Sequence, residues 1–105
     1  MIITWWKGAK DDLDAIYDYY AELNQHAAVR IYNEILTAAD RLLVFPEANP
    51  IEPMIKNEKY RFRSCVVVHG LYKIIYFVNK DTIVISHIWD YRRNPNKIRQ
   101  GIFGD

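Results

Sequence analysis

The side chains best suited to chemistry crowd towards the C-terminal end, in Trp89-Asp90-Tyr91-Arg92-Arg93-Asn94-Pro95. Adjacent arginines that follow a strand can grip a phosphate through paired N–H donors. Tyr91 can stack on a base or donate a proton. Taken alone, the simpler reading is a capped strand end with solvated arginines. Lys73 is a cation in an otherwise apolar run, and it must reach solvent, an anion or a carboxylate. The plain alternative is an open-face lysine whose stem lies along the sheet while its head stays in water. Arg61 and Arg63 alternate on one stretch and read as the start of an exposed basic face. His87 titrates in the range useful for acid–base work, although a packed strand histidine is the commoner case. Cys65, among valines, reads as a small sheet or core residue. His26, His69 and His87 show no metal-ligand spacing, so neither metal nor cofactor is expected. No Gly-rich phosphate loop or serine nucleophile turn is present.

These residues need a scaffold, and the hydrophobic pattern supplies one. Residues 2–6 are β-branched and aromatic and read as a strand. Leu13, Ile16, Tyr17 and Tyr20 form a stripe at helical spacing, with Asp11, Asp12 and Asp14 near the helix start, where negative charge suits the dipole. That helix runs to about residue 23. Asn24 is a suitable N-cap for a second helix, striped by Ala28, Ile31, Ile35, Ala39 and Leu42, that reaches about residue 44 before Pro46. Pro46, Pro50 and Pro53 forbid regular structure over residues 45–58, which read as a loop or edge segment. The period then becomes two, predicting strands over 59–69, 71–78 and 82–89, with turns at Gly70 and at Asn79-Lys80-Asp81. Alternation puts Tyr60, Phe62, Val66 and Val68 opposite Arg61, Arg63, Cys65, Val67 and His69. It likewise puts Tyr72, Ile74, Tyr76 and Val78 opposite Leu71, Lys73, Ile75 and Phe77. Residues 90–95 read as a charged exit. Residues 96–105 read as a tail with one short helical turn, flexible from about residue 100. The expected fold class is α+β: an N-terminal strand, an antiparallel helical hairpin, then a three-stranded antiparallel meander. The helices pack on one face of the sheet, and the other face is more open.

A chain of 105 residues is one domain's worth, residues 1–105, and eight Tyr, four Phe and three Trp supply ample core material. The single cysteine excludes an internal disulfide and fits a reducing compartment. No signal peptide or membrane span is legible, so the cytoplasm is the expected location. Net charge is +1, but residues 1–53 hold four basic against nine acidic side chains, and residues 54–105 hold ten basic against four acidic. Such asymmetry can steer an anionic partner to the C-terminal half, although surfaces are also uneven by chance.

The chain resembles the RelE/ParE superfamily of toxins. The likeness is carried by the helix Ala-Lys-Asp-Asp-Leu-Asp-Ala-Ile-Tyr-Asp-Tyr-Tyr (9–20) and by Leu-Leu-Val-Phe-Pro (42–46). It continues in Tyr60-Arg61, in Gly-Leu-Tyr-Lys-Ile-Ile-Tyr (70–76) and in the Ile88 to Pro95 ending, spanning roughly residues 2–99. The resemblance implies a toxin held inactive by a cognate antitoxin protein, with one of two targets. RelE-like members are ribosome-dependent mRNA endonucleases; ParE-like members block DNA gyrase and have no hydrolytic site. On the nuclease reading the catalytic candidates are Arg61, Lys73, His87 and Tyr91. Lys73 stands where the family usually has arginine and loses the bidentate fork. Arg61, Arg63, Lys73, Arg92 and Arg93 are the candidates for target or nucleic-acid binding. The nucleases are strongly basic, which this chain is not, and the reading leans to ParE. A third alternative is a decayed toxin that only binds its antitoxin. The antitoxin is expected to carry an acidic, initially disordered segment that docks on the helical hairpin or an open strand edge. Operator DNA is expected to be met only through the antitoxin complex, and no membrane is involved.

Overall fold

The computed structural model describes residues 1–91. The order is β1 (Ile2–Trp5), α1 (Lys7–Leu23), α2 (Gln25–Arg41), β2 (Arg63–Val67), β3 (Tyr72–Asn79) and β4 (Thr82–Asp90). The sheet runs β1-β4-β3-β2, with β1 parallel to β4 and the other pairs antiparallel. The hairpin of helices lies between β1 and β2 in sequence, so it carries the chain from one sheet edge to the other. The α+β expectation and its element order hold. The tail at 96–105 and the arginines Arg92 and Arg93 lie outside the described residues.

Asn24 caps α2, its side chain accepting from the Ala27 N–H at 3.1 Å, which ends one helix and starts the next. α1 starts earlier than its acidic cluster implies, at Lys7, so Asp11 and Asp12 fall past the first turn and take other work. Asp11 pairs with Lys7 in solvent at 2.8 Å, an i,i+4 contact of small worth. Asp12 accepts the Ile88 backbone N–H at 2.9 Å. β1 pairs with β4 only as far as Ile85, so that N–H lies beyond the strand partner, and a helix carboxylate replaces it. α2 ends at Arg41 rather than near 44; Leu42, Leu43 and Val44 continue as i→i−3 turns.

Two cores flank the sheet. The first packs Leu13, Ile16, Ile31, Ile35 and Leu42 of the hairpin region against Tyr72, Ile74, Tyr76, Ile83, Ile85 and Ile88. The second lies on the opposite face and joins Ile55 and Phe62 to Ile75, Phe77, Val84 and Trp89. The expectation of a more open second face is therefore corrected. Residues 50–62 cross that face, because β3 and β4 present apolar side chains on both sides and neither side is stable in water. The predicted strand over 59–69 shrinks to Arg63–Val67 for the same reason: residues 59–62 serve the covering segment. At its other end β2 stops because Val68 and His69 both take φ 53°, ahead of Gly70 at 84°. Left-handed backbone cannot continue a strand. The face pairings expected for β3 hold, with Tyr72, Ile74 and Tyr76 towards the helices and Ile75 and Phe77 away.

His69 is exposed and carries left-handed strain of roughly 1 kcal/mol. His69→Gly is therefore expected to raise stability by about 0.5–1 kcal/mol, read as a higher urea midpoint at unchanged slope. A lower midpoint would show that the histidine side chain offsets its backbone strain.

Candidate functional site

β3 places Lys73 on the second face, with Val66 and Trp89 as its cross-strand neighbours. The side chain does not reach water. Lys73 is 6% exposed, and its Nζ lies 2.5 Å from Oε2 of Glu52, itself 1% exposed. The Tyr91 ring stands over the ammonium at 5.1 Å. The other oxygen of Glu52 accepts the Met54 N–H at 3.3 Å. Of the three destinations open to a strand lysine, the fold uses the carboxylate, and the snorkelling alternative is excluded. Sequence reasoning missed Glu52 because the pairing spans 21 positions. Its signal was a lone acid between Pro50 and Pro53, in a segment that had to run somewhere.

The remaining candidates separate. Arg61 is exposed and precedes β2. Arg63 does not join it in a basic face: it is half-buried, and its guanidinium donates to the carbonyls of Glu47 at 3.0 Å and Asn49 at 2.7 Å. It ties down the α2–β2 connection, beside Tyr76, whose hydroxyl donates to Pro46 O at 2.8 Å. Burial pushes the Tyr76 hydroxyl above its usual pKa, countered by the Asn49 amide and Arg63. Tyr91, 45% exposed, is brought to Lys73. His87 is half-buried, with Nδ1 enclosed and without a hydrogen-bond partner. A methyl on Gly8 would come within 2.9 Å of its Nε2, so the helix start and the imidazole are in direct contact. Burial lowers the His87 pKa, opposed by the charge of Asp12. Cys65 is half-buried on β2, and desolvation raises its pKa against the opposing charge of Arg41, which favours the thiol over the thiolate. Among the described residues no cluster of His, Cys, Asp or Glu could hold a metal.

What stays open is surface. A groove between α2 and β2 is lined by Arg30, Glu34, Arg41, Phe45, Cys65 and Val66. Leu43, Val44, Phe45 and Val66 expose apolar area beside it, Phe45 to 70% and Val66 to 54%. The first half of the β2 edge is covered, since Ser64 N–H donates to Pro50 O and Glu52 N–H to Phe62 O. Val66 lies beyond that cover. A groove next to a free strand edge, with apolar and charged side chains in its walls, has the form that receives an extended segment.

The family model described as "ParE toxin of type II toxin-antitoxin system, parDE" matches residues 3–95. The chain belongs to this family of ParE toxins. A solved structure titled "Chromosomal ParDE TA system from P. aeruginosa" is similar, with a TM-score of 0.72 and 23% sequence identity. The likeness covers 86% of this chain and 95% of that one and shows a shared fold. No curated protein matches the chain in sequence. As a ParE toxin it is the toxin partner of a type II toxin–antitoxin pair. No helix among the described residues is long and apolar enough to cross a membrane.

Two outcomes are expected of this ParE chain. Glu52→Ala leaves a buried ammonium without its carboxylate and should cost about 3–5 kcal/mol, whereas Glu52→Leu with Lys73→Met should recover most of it. Chemical denaturation of the single and double variants distinguishes this from a pair that is merely in contact. The depressed His87 pKa means that the folded state resists a proton which the unfolded chain accepts near pH 6.5. Its contribution is present above that pH and is lost as pH falls towards the folded value. Stability should therefore drop on acidification below pH 6.5, with a shallower slope in His87→Gln; equal slopes would remove His87 as the cause.

Proposed function

We propose that this toxin inhibits growth by binding DNA gyrase and does not cleave mRNA. The observation that carries the reading is the burial of Lys73 on Glu52. A lysine enclosed with a carboxylate at 2.5 Å cannot also neutralise a scissile phosphate, because the anion would have to displace a partner already desolvated with it. Arg63 is spent on backbone carbonyls, which leaves Arg61 as the open cation of the expected strand set among the described residues. Transition-state stabilisation of a phosphodiester needs several donors aimed at one place. A near-neutral net charge further suits a protein target better than ribosomal RNA.

A cognate antitoxin is the regulatory partner. Its segment is proposed to dock in the α2–β2 groove or along the free end of β2, adding backbone hydrogen bonds there and meeting Arg30 and Arg41 with acidic side chains. Operator DNA is then met through the antitoxin in the complex, and the pair works in the cytoplasm. The nuclease reading keeps one supporting feature, Tyr91 held against Lys73, and the decayed-toxin reading has none of its own.

Primer extension on mRNA in a purified translation system dosed with the toxin is expected to give uncut message. Gyrase supercoiling is expected to fall at stoichiometric toxin and to recover when antitoxin is added. Ribosome-dependent cuts lost in Lys73→Ala would replace the gyrase reading with the nuclease one. Uncut message, unaffected gyrase and normal growth on expression would leave a chain that only binds its antitoxin.

A further inference from the structure

β1 pairs with β4 only from Thr82 to Ile85, and among the described residues no strand lies against the outer edge of β4 beyond that point. An open strand edge is a liability, because its backbone donors and acceptors can recruit another chain. Between α1 and this edge runs a groove. Ile16, Tyr72 and Ile88 give it an apolar floor, Tyr19 stands exposed beside them, and Asp12 and Asp90 contribute negative charge. Neither lysine nor arginine lines it. Asp12, Ile16 and Tyr19 share one side of α1, and three and four residues further on the same side continues into exposed Glu22 and Leu23. The surface combines an apolar floor with acidic side chains along one helix.

We propose that this groove is the docking site of the chain's own C-terminal segment, residues 92–105. The point of departure favours it. Tyr91 N–H donates to Leu71 O at 2.9 Å, which fixes the end of β4 next to Asp90, a groove residue. The composition of the segment complements the groove. It holds four basic side chains, Arg92, Arg93, Lys97 and Arg99, against one acid, Asp105, together with the apolar Ile98, Ile102 and Phe103. Fully extended, 92–105 reaches at most about 46 Å. The 17 residues of α1 span about 26 Å, so the whole groove is in range. Other surfaces suit a cationic segment less. The α2–β2 groove carries Arg30 and Arg41, and the segment that covers the second face exposes Lys56, Lys59 and Arg61. Tethering gives 92–105 an effective concentration on the order of millimolar, so it outcompetes a free basic peptide of equal affinity. Docked there, it covers the edge that β1 leaves open and ties α1 to β4.

Paramagnetic relaxation in the full chain tests this. A nitroxide is attached at Gln100→Cys in a Cys65→Ser background, and amide relaxation is read by NMR with the label active and then reduced. The enhancement should be at least threefold greater at Ala15 and Tyr19 than at Leu71, which neighbours the β4 end on the other side, and at Met54. It should fall at least twofold in about 1 M salt, where the screening length is about 3 Å. It should also fall at least twofold in Glu22→Lys and in Asp90→Asn, each shown folded by its amide spectrum. Equal enhancement at all four residues would mean that the segment has no preferred site, and a maximum at Arg41 and Val66 would place it in the α2–β2 groove. Either result overturns the proposal, as does enhancement unchanged in both charge variants. Mixing spin-labelled chains with isotope-labelled chains that carry no nitroxide should give no enhancement. Enhancement in that mixture would assign the contact to the tail of a second copy, and the intramolecular docking would be wrong.

Discussion

A strand that is apolar on both faces cannot be left in water on either side, and β3 is such a strand. Six consecutive residues, from Tyr72 to Phe77, are buried. Tyr72, Ile74 and Tyr76 need one cover, Ile75 and Phe77 another. The helical hairpin supplies the first. The second comes from residues that read, in sequence, as a proline-rich loop or edge segment. The placement of β3 in the middle of the sheet, and the existence of two cores, follow from this hydrophobic demand. So does the short β2, since part of the chain that continues its pattern is diverted to the far face.

One charge sits inside this arrangement. Lys73 falls within the doubly buried run, and its desolvation has to be offset by a carboxylate held in place before the pair forms. Glu52 is held by two proline-flanked positions, by its own backbone bond to Phe62 and by its bond to the Met54 N–H. The ion pair thereby determines where the covering segment begins its crossing. The same pairing removes the Lys73 ammonium from solvent.

The open surfaces lie elsewhere and share a character. They are edges and grooves: the free end of β2 beside α2, with Phe45 and Val66 exposed, and the outer side of β4 beyond Ile85, where Asp12 caps one N–H. Such surfaces bind chains. The titratable groups near them serve packing. His87 has an enclosed Nδ1 and a pKa lowered by burial, and it packs against Gly8 rather than opening into a cleft.

Local pattern was enough for the element order, the α2 cap at Asn24, the apolar stripes of both helices and the two faces of β3. These depend on periodicity and capping, which act over a few residues. The family was legible for the same reason, since its marks are runs of adjacent residues such as 9–20 and 70–76. The sequence also stated a requirement without its answer: a lysine in an apolar strand must have a partner. Only the tertiary structure decided that the partner is Glu52, that Arg63 serves a loop while Arg61 stays in solvent, and that the second face is closed. Each of these joins residues separated by many positions, and such pairings arise from the path of the chain across the sheet, which no local spacing encodes. The strand end at Val68 is of the same kind. Its β-branched side chain favours extension, yet burial in the first core holds it at φ 53°, because packing over the whole face outweighs one residue's backbone preference.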